Sequence, residues 1–86
     1  MATGPLADVR ILEVSQIIAG PFAGMLLSDM GADVIKTEPP QGGEPWRQFA
    51  QFMPGESKAY AVLNRGKRSL ALDLSSADGQ QIAHDL

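Results

Sequence analysis

The stretch from Ile11 to Glu38, ILEVSQIIAGPFAGMLLSDMGADVIKTE, leaves few folds open, because it holds a strand, a turn, a helix and a second strand with little between them. Val9, Ile11, Leu12 and Val14 make a short apolar run of the kind expected of a strand covered on both faces in a parallel sheet. Pro21 suits the first helical position, where its missing N–H costs nothing and its φ is already helical, with Gly20 as the N-cap. Gly31 suits the left-handed C′ position that closes a helix. Between them Phe22, Met25, Leu26 and Met30 follow i, i+3, i+4, i+8 spacing and place one apolar stripe toward a sheet. Asp33 to Glu38 then resumes a strand pattern through Val34 and Ile35. Two strands joined by a helix in so few residues run parallel, with a right-handed crossover. The expected fold class is therefore α/β, with a Rossmann-like parallel sheet.

A chain of 86 residues is one small domain or part of one. Its 44% apolar and 20% charged residues fit a globular chain. The net charge of -3 supplies no global attraction to nucleic acid or to an anionic membrane, so neither is expected as a partner. The absence of cysteine excludes a disulfide framework and a thiolate metal site and is compatible with a reducing cytoplasm. No apolar run reaches membrane-spanning length and no signal-peptide pattern opens the chain, so the expected location is cytoplasmic.

Met1 to Asp8 reads as a lead-in with a break at Gly4-Pro5. Beyond Glu38, the residues Pro39, Pro40, Gly42, Gly43 and Pro45 forbid regular structure, and the irregular stretch runs to about Ser57. A loop of that length is either functional or pinned in place, and Trp46, Phe49 and Phe52 favour pinning. Ala59 to Leu63 suits a short helical turn, Asn64-Arg65-Gly66 a tight turn, and Ser69 to Leu74 a third strand. Ser75 opens a last helix with Asp78 as capping-box partner and Ile82, Ala83 and Leu86 as its apolar positions. That helix meets no stop signal before Leu86, and the pattern reads as interrupted.

Chemistry has few places to sit. Lys58, Arg65, Lys67 and Arg68 crowd a glycine turn that is either a solvated basic turn or a phosphate-binding one. Gly66-Lys67-Arg68-Ser69 is not a P-loop, since the upstream glycine is missing and serine does not follow the lysine. Gly20 and Gly24 fall short of a dinucleotide fingerprint, although Glu38 ends its strand where a ribose-binding acid would lie. Gly24 is more simply a place of close approach between helix and sheet. His84 suits a surface role, and Asp29, Asp33, Asp73 and Asp78 are not spaced as a metal cluster, so no metal is expected.

Three blocks, AGPFAGMLLSDMGADVIKTE, GGEPWR and LNRGKRSLALDL, resemble the N-terminal start of the family III CoA-transferases, and the match covers nearly the whole chain. The family includes formyl-CoA and carnitine-type transferases, with the α-methylacyl-CoA racemases as relatives on the same fold. The resemblance implies that residues 1–86 are the N-terminal part of a large Rossmann-like domain, in a longer enzyme built as an interlocked homodimer. It implies coenzyme A, as an acyl-CoA substrate, and a carboxylate acceptor. It places Ile18 and Ala19 against CoA, lays Leu72, Asp73, Leu74 and Ser75 along its nucleotide part, and offers Lys67 and Arg68, which match the family's Lys-Arg-Ser, to phosphate. Some members carry a nucleotide-contacting arginine directly after the second strand's Glu; Pro39 stands there in this chain. The family's nucleophile is an aspartate that forms covalent intermediates and lies beyond Leu86. No acid here matches its context, so no catalytic residue is assigned and the chain by itself is expected to be inactive. A racemase parent, or a non-catalytic nucleotide-binding or interaction module, are the competing readings.

Overall fold

The computed structural model describes residues 4–48 and 58–86. Three short strands, β1 (Arg10–Glu13), β2 (Asp33–Glu38) and β3 (Arg68–Ala71), form one sheet in the order β1-β2-β3, and both pairings are parallel. Helix α1 (Ala19–Asp29) joins β1 to β2. A 3-10 turn (Pro45–Gln48) and helix α2 (Lys58–Leu63) precede β3, and helix α3 (Ala77–Asp85) follows it. This is the expected α/β architecture. Phe49 and Phe52, and the side chain of Trp46, fall outside the described residues, as do the first three residues of the lead-in.

The strand expected around Val9 to Val14 is shorter than its apolar run. Its flanks Val9 and Val14 are exposed, and pairing with β2 begins at Arg10 opposite Asp33. Helix α1 also starts earlier than the Gly20-Pro21 pair suggests. Phe22 N–H donates to Ile18 O at 2.8 Å, which makes Ile18 the N-cap and puts Pro21 in the third helical position. A proline is tolerated there as well, because the first turn's N–H groups have no partner within the helix. The helix ends as expected at Gly31: Gly31 N–H donates to Ser28 O at 2.9 Å and Ala32 N–H to Leu27 O at 3.1 Å, the two bonds of a Schellman closure.

The apolar stripe on α1 does not meet the sheet as a stripe. Met25 is buried, but Phe22, Leu26 and Met30 are 47%, 43% and 40% exposed. The reason lies beneath the helix, where β1 and β2 present charge. Glu13 pairs in register with Lys36, both are buried, and Gly24 lies over them so closely that a Cβ there would overlap the Glu13 carboxylate and sit 3.2 Å from Lys67 Cε. The helix therefore approaches through its glycine, and the small apolar core of Met25, Ala32, Val34, Ile35 and Leu72 gathers beside that contact.

Strand β3 begins at Arg68 and leaves the sheet after Ala71, three residues before the expected end at Leu74. Asp73 ends it. Its Oδ1 accepts from Ser75 N–H at 3.0 Å and from Ser75 Oγ at 2.5 Å, an Asx-type turn that bends the chain away. With Ser75 engaged in that turn, the N-cap of α3 is Ser76 instead, and its Oγ accepts from Gly79 N–H at 2.9 Å. Ile82 and Leu86 of the last helix are exposed. Replacing Ser76 with alanine should cost about 1 kcal/mol, the usual value of a lost N-cap, whereas Ser75→Ala should cost clearly less. Urea titration of the two variants followed by circular dichroism checks the ranking, and equal losses would place the cap elsewhere.

Candidate functional site

All three strands point their carboxyl ends at one cavity of about 510 Å³. Val14, Ser15 and Gln16 line it from the segment after β1; Thr37, Glu38, Pro39 and Pro40 line it from the end of β2. Leu72, Asp73, Leu74 and Ser75 close it from the segment after β3, with Glu44 as a further wall. Open parallel sheets bind ligands at this end, where successive loops diverge and leave a crevice. Ile18 and Ala19, at the start of α1, are separated from Gln16 by Ile17 and are not among the residues that line the cavity.

Two carboxylates at the cavity, Glu38 and Asp73, are already engaged. Glu38 is buried and receives a two-pronged contact from Arg47, Nε to Oε1 at 2.6 Å and Nη2 to Oε2 at 2.8 Å. Ser69 Oγ adds a donor at 2.6 Å and Glu44 N–H another at 3.0 Å. The Arg47 guanidinium, against the opposing pull of burial, holds the Glu38 carboxyl down at about 2. These donors leave it no role as an acceptor for ribose hydroxyls, in keeping with the incomplete dinucleotide fingerprint around Gly20 and Gly24. Arg47 also lies 3.9 Å from the centroid of the Tyr60 ring and donates to its hydroxyl at 2.8 Å. Burial, aided by the charge of Glu38, pushes the Tyr60 phenol up to about 12. The side-chain and backbone bonds from Ser75 hold the exposed Asp73 carboxyl below its usual value.

Lys67 and Arg68 do not come to this cavity. Arg68 opens β3 and so lies at the amino end of the sheet, where it grips Asp33 with bonds of 2.9 and 2.6 Å. Lys67 turns beneath α1. Its ammonium is 2.7 Å from Glu13 Oε1, 2.8 Å from Asn64 Oδ1 and 2.9 Å from Pro21 O. Glu13 is shared with Lys36, whose Nζ lies 2.8 Å from Oε2. Burial pushes the Lys67 ammonium down, opposed by its bond to Glu13. Burial also works against the charge on Glu13, but the bonds from Lys36 and Lys67 together win and hold its carboxyl below the usual value.

Sequence reasoning missed this charged interior. Lys36, Lys67 and Arg47 face Glu13, Glu38 and Glu44, three cations against three carboxylates, with Lys36 and Arg47 over the Tyr60 ring. A signal was present. Glu13 and Lys36 each sit inside runs that read as covered strands, and a charge in such a strand needs a partner. Nothing in the spacing marked Arg47, Tyr60 or Glu44.

A sequence profile of CoA-transferase family III matches residues 6–86. The chain is 45% identical over 83 residues to a succinyl-CoA–D-citramalate CoA-transferase of Chloroflexus aurantiacus, covering 95% of this chain and 21% of that protein. It is 44% identical over 82 residues to a succinate–glutarate CoA-transferase of Agrobacterium fabrum, covering 87% of this chain and 20% of that protein. Among solved structures, a CAIB/BAIF family protein from Brucella suis superposes with a TM-score of 0.82 at 34% identity, over 92% of this chain and 22% of the other. The chain thus spans about a fifth of the length of the curated relatives it matches.

Proposed function

Since the chain belongs to CoA-transferase family III, we propose that it is the N-terminal part of the large domain of an enzyme that moves CoA from an acyl-CoA thioester to a carboxylic acid, and that its cavity receives part of the CoA. The enzyme is a cytoplasmic, interlocked homodimer on this reading, and its nucleophile lies beyond Leu86. Among the described residues no helix is long and apolar enough to cross a membrane.

One observation carries the assignment of the site: the segments after all three parallel strands converge on a single cavity, and the four residues expected along the nucleotide, Leu72 to Ser75, form one of its walls. Val14, Pro39, Pro40, Leu72 and Leu74 offer apolar surface to the faces of a base. Ile18 and Ala19 stand where the amino end of α1 favours negative charge, and no side chain caps that end. Lys67 and Arg68 serve the interior and the opposite edge, so the phosphates of CoA are met by groups other than these two.

Titration calorimetry on the full-length protein tests this reading. CoA should bind at least about tenfold more tightly than NAD, because the sequence lacks the glycines that let a backbone approach a dinucleotide pyrophosphate. Equal or tighter binding of NAD would overturn the proposal.

A further inference from the structure

We propose that Glu44 is a positioning residue for this site, whose carboxylate clamps the segment between β1 and α1 at Ile17 and so sets the rim of the cavity. Among the described residues, Ile17 is the one non-glycine with a positive φ, 71°. A β-branched residue is strongly disfavoured there and stays only if its surroundings hold it. The Ile17 side chain is 42% exposed, so packing is not what holds it. Its backbone N–H donates to Glu44 Oε1, across 27 positions of sequence.

Glu44 is built for that contact. It is 1% exposed, although it sits in a loop rich in glycine and proline, where an acid would ordinarily face water. Gly42 and Gly43, with φ of 77° and 70°, turn the chain back beneath the sheet edge in a way that residues with a Cβ resist. Its own N–H donates to Glu38 Oε1 at 3.0 Å, and its carbonyl accepts from Arg47 N–H at 3.0 Å. The loop thus delivers a fixed carboxylate to one backbone N–H, between Gln16, which lines the cavity, and Ile18, which starts α1. Without Glu44 the Ile17 N–H loses its acceptor and φ is free to relax to negative values. That relaxation would swing Gln16 and Ile18 together.

The ligand in this inference rests on the CoA reading; the clamp does not. The test uses five forms of the full-length protein: unaltered, Glu44→Ala, Glu44→Gln, Ile17→Gly, and Ile17→Gly combined with Glu44→Ala. Hydrogen exchange should show the Ile17 amide protected in the unaltered protein, protected in Glu44→Gln, whose amide oxygen still accepts, and unprotected in Glu44→Ala. CoA affinity by calorimetry should fall about tenfold in Glu44→Ala and within about threefold in Glu44→Gln. In the Ile17→Gly background, where glycine adopts the left-handed backbone without penalty, the loss on adding Glu44→Ala should shrink to about threefold. A general loss of folding would lower affinity equally in both backgrounds and would not be repaired by a glycine. Unchanged protection of the Ile17 amide in Glu44→Ala, or the same affinity loss in both backgrounds, overturns the inference. Failure of the unaltered protein to bind CoA overturns the functional reading instead.

Discussion

Glu13→Ala should be the most destabilising single substitution in the chain, with a cost of about 3 to 5 kcal/mol. The carboxylate is the shared partner of two buried ammonium groups, at 2.8 Å from Lys36 and 2.7 Å from Lys67, and its removal takes from both the carboxylate they are bonded to. A loss of that size approaches the whole stability of a small domain, roughly 5 to 15 kcal/mol. The sign of the pH dependence is specific. Burial already pushes the Lys67 ammonium down and only Glu13's bond and charge lead the opposition, so in the variant the folded state favours neutral lysine still more. Its stability should therefore recover as pH rises from 7 toward 10, and by more than that of the unaltered protein, whose Lys67 is pushed down less because Glu13 opposes burial. Replacing Glu13, Lys36 and Lys67 together by Leu, Met and Met should be far milder than Glu13→Ala, because the cost comes from unpaired charge and not from lost volume. Urea unfolding at several pH values measures all of this, and a Glu13→Ala cost under about 1 kcal/mol would mean that water reaches the cluster.

The parallel sheet was legible from residues whose local chemistry and tertiary role agree. Gly31 closes α1 because its backbone must turn left-handed there, and Val34 and Ile35 are buried in the central strand as their pattern requires. The stripe of Phe22, Leu26 and Met30 misled because helical spacing says which residues share a face and not what that face meets. In this chain the sheet under α1 carries Glu13 and Lys36, and the contact is made through Gly24. The cavity was half legible. Leu72 to Ser75 were placed by resemblance and do line it, whereas Lys67 and Arg68, near them in sequence, are drawn to Glu13 and Asp33, and Ile18 and Ala19 stand outside the lining. Glu44 and Arg47 were invisible because their partners, Ile17 and Glu38, are reached only after the loop folds back.

Arg47→Ala should change how the protein responds to acid, and the direction follows from Glu38. In the unaltered protein Arg47's two bonds lead the groups that hold the Glu38 carboxyl at about 2, against an ordinary value of 4.5. A carboxyl depressed in the folded state adds stability that is fully present above pH 4.5 and drains away as pH falls toward 2. For a shift of this size that contribution is on the order of 3 kcal/mol at neutral pH. Without Arg47, burial becomes the foremost influence on Glu38, opposed by Ser69, the Glu44 N–H and the Tyr60 hydroxyl. The variant should thus be less stable than the unaltered protein at pH 7 by about that amount, plus about 1 kcal/mol for the lost stacking on Tyr60. Between pH 4.5 and 2 its stability should fall less steeply, so that the two curves converge toward the stacking difference alone. Arg47→Lys, which keeps the charge but neither the fork nor the planar stack, should lie between them. Thermal unfolding across that pH range is the measurement. Parallel curves, with the same gap at pH 2 as at pH 7, would show that Arg47 acts through packing and not through the Glu38 carboxylate.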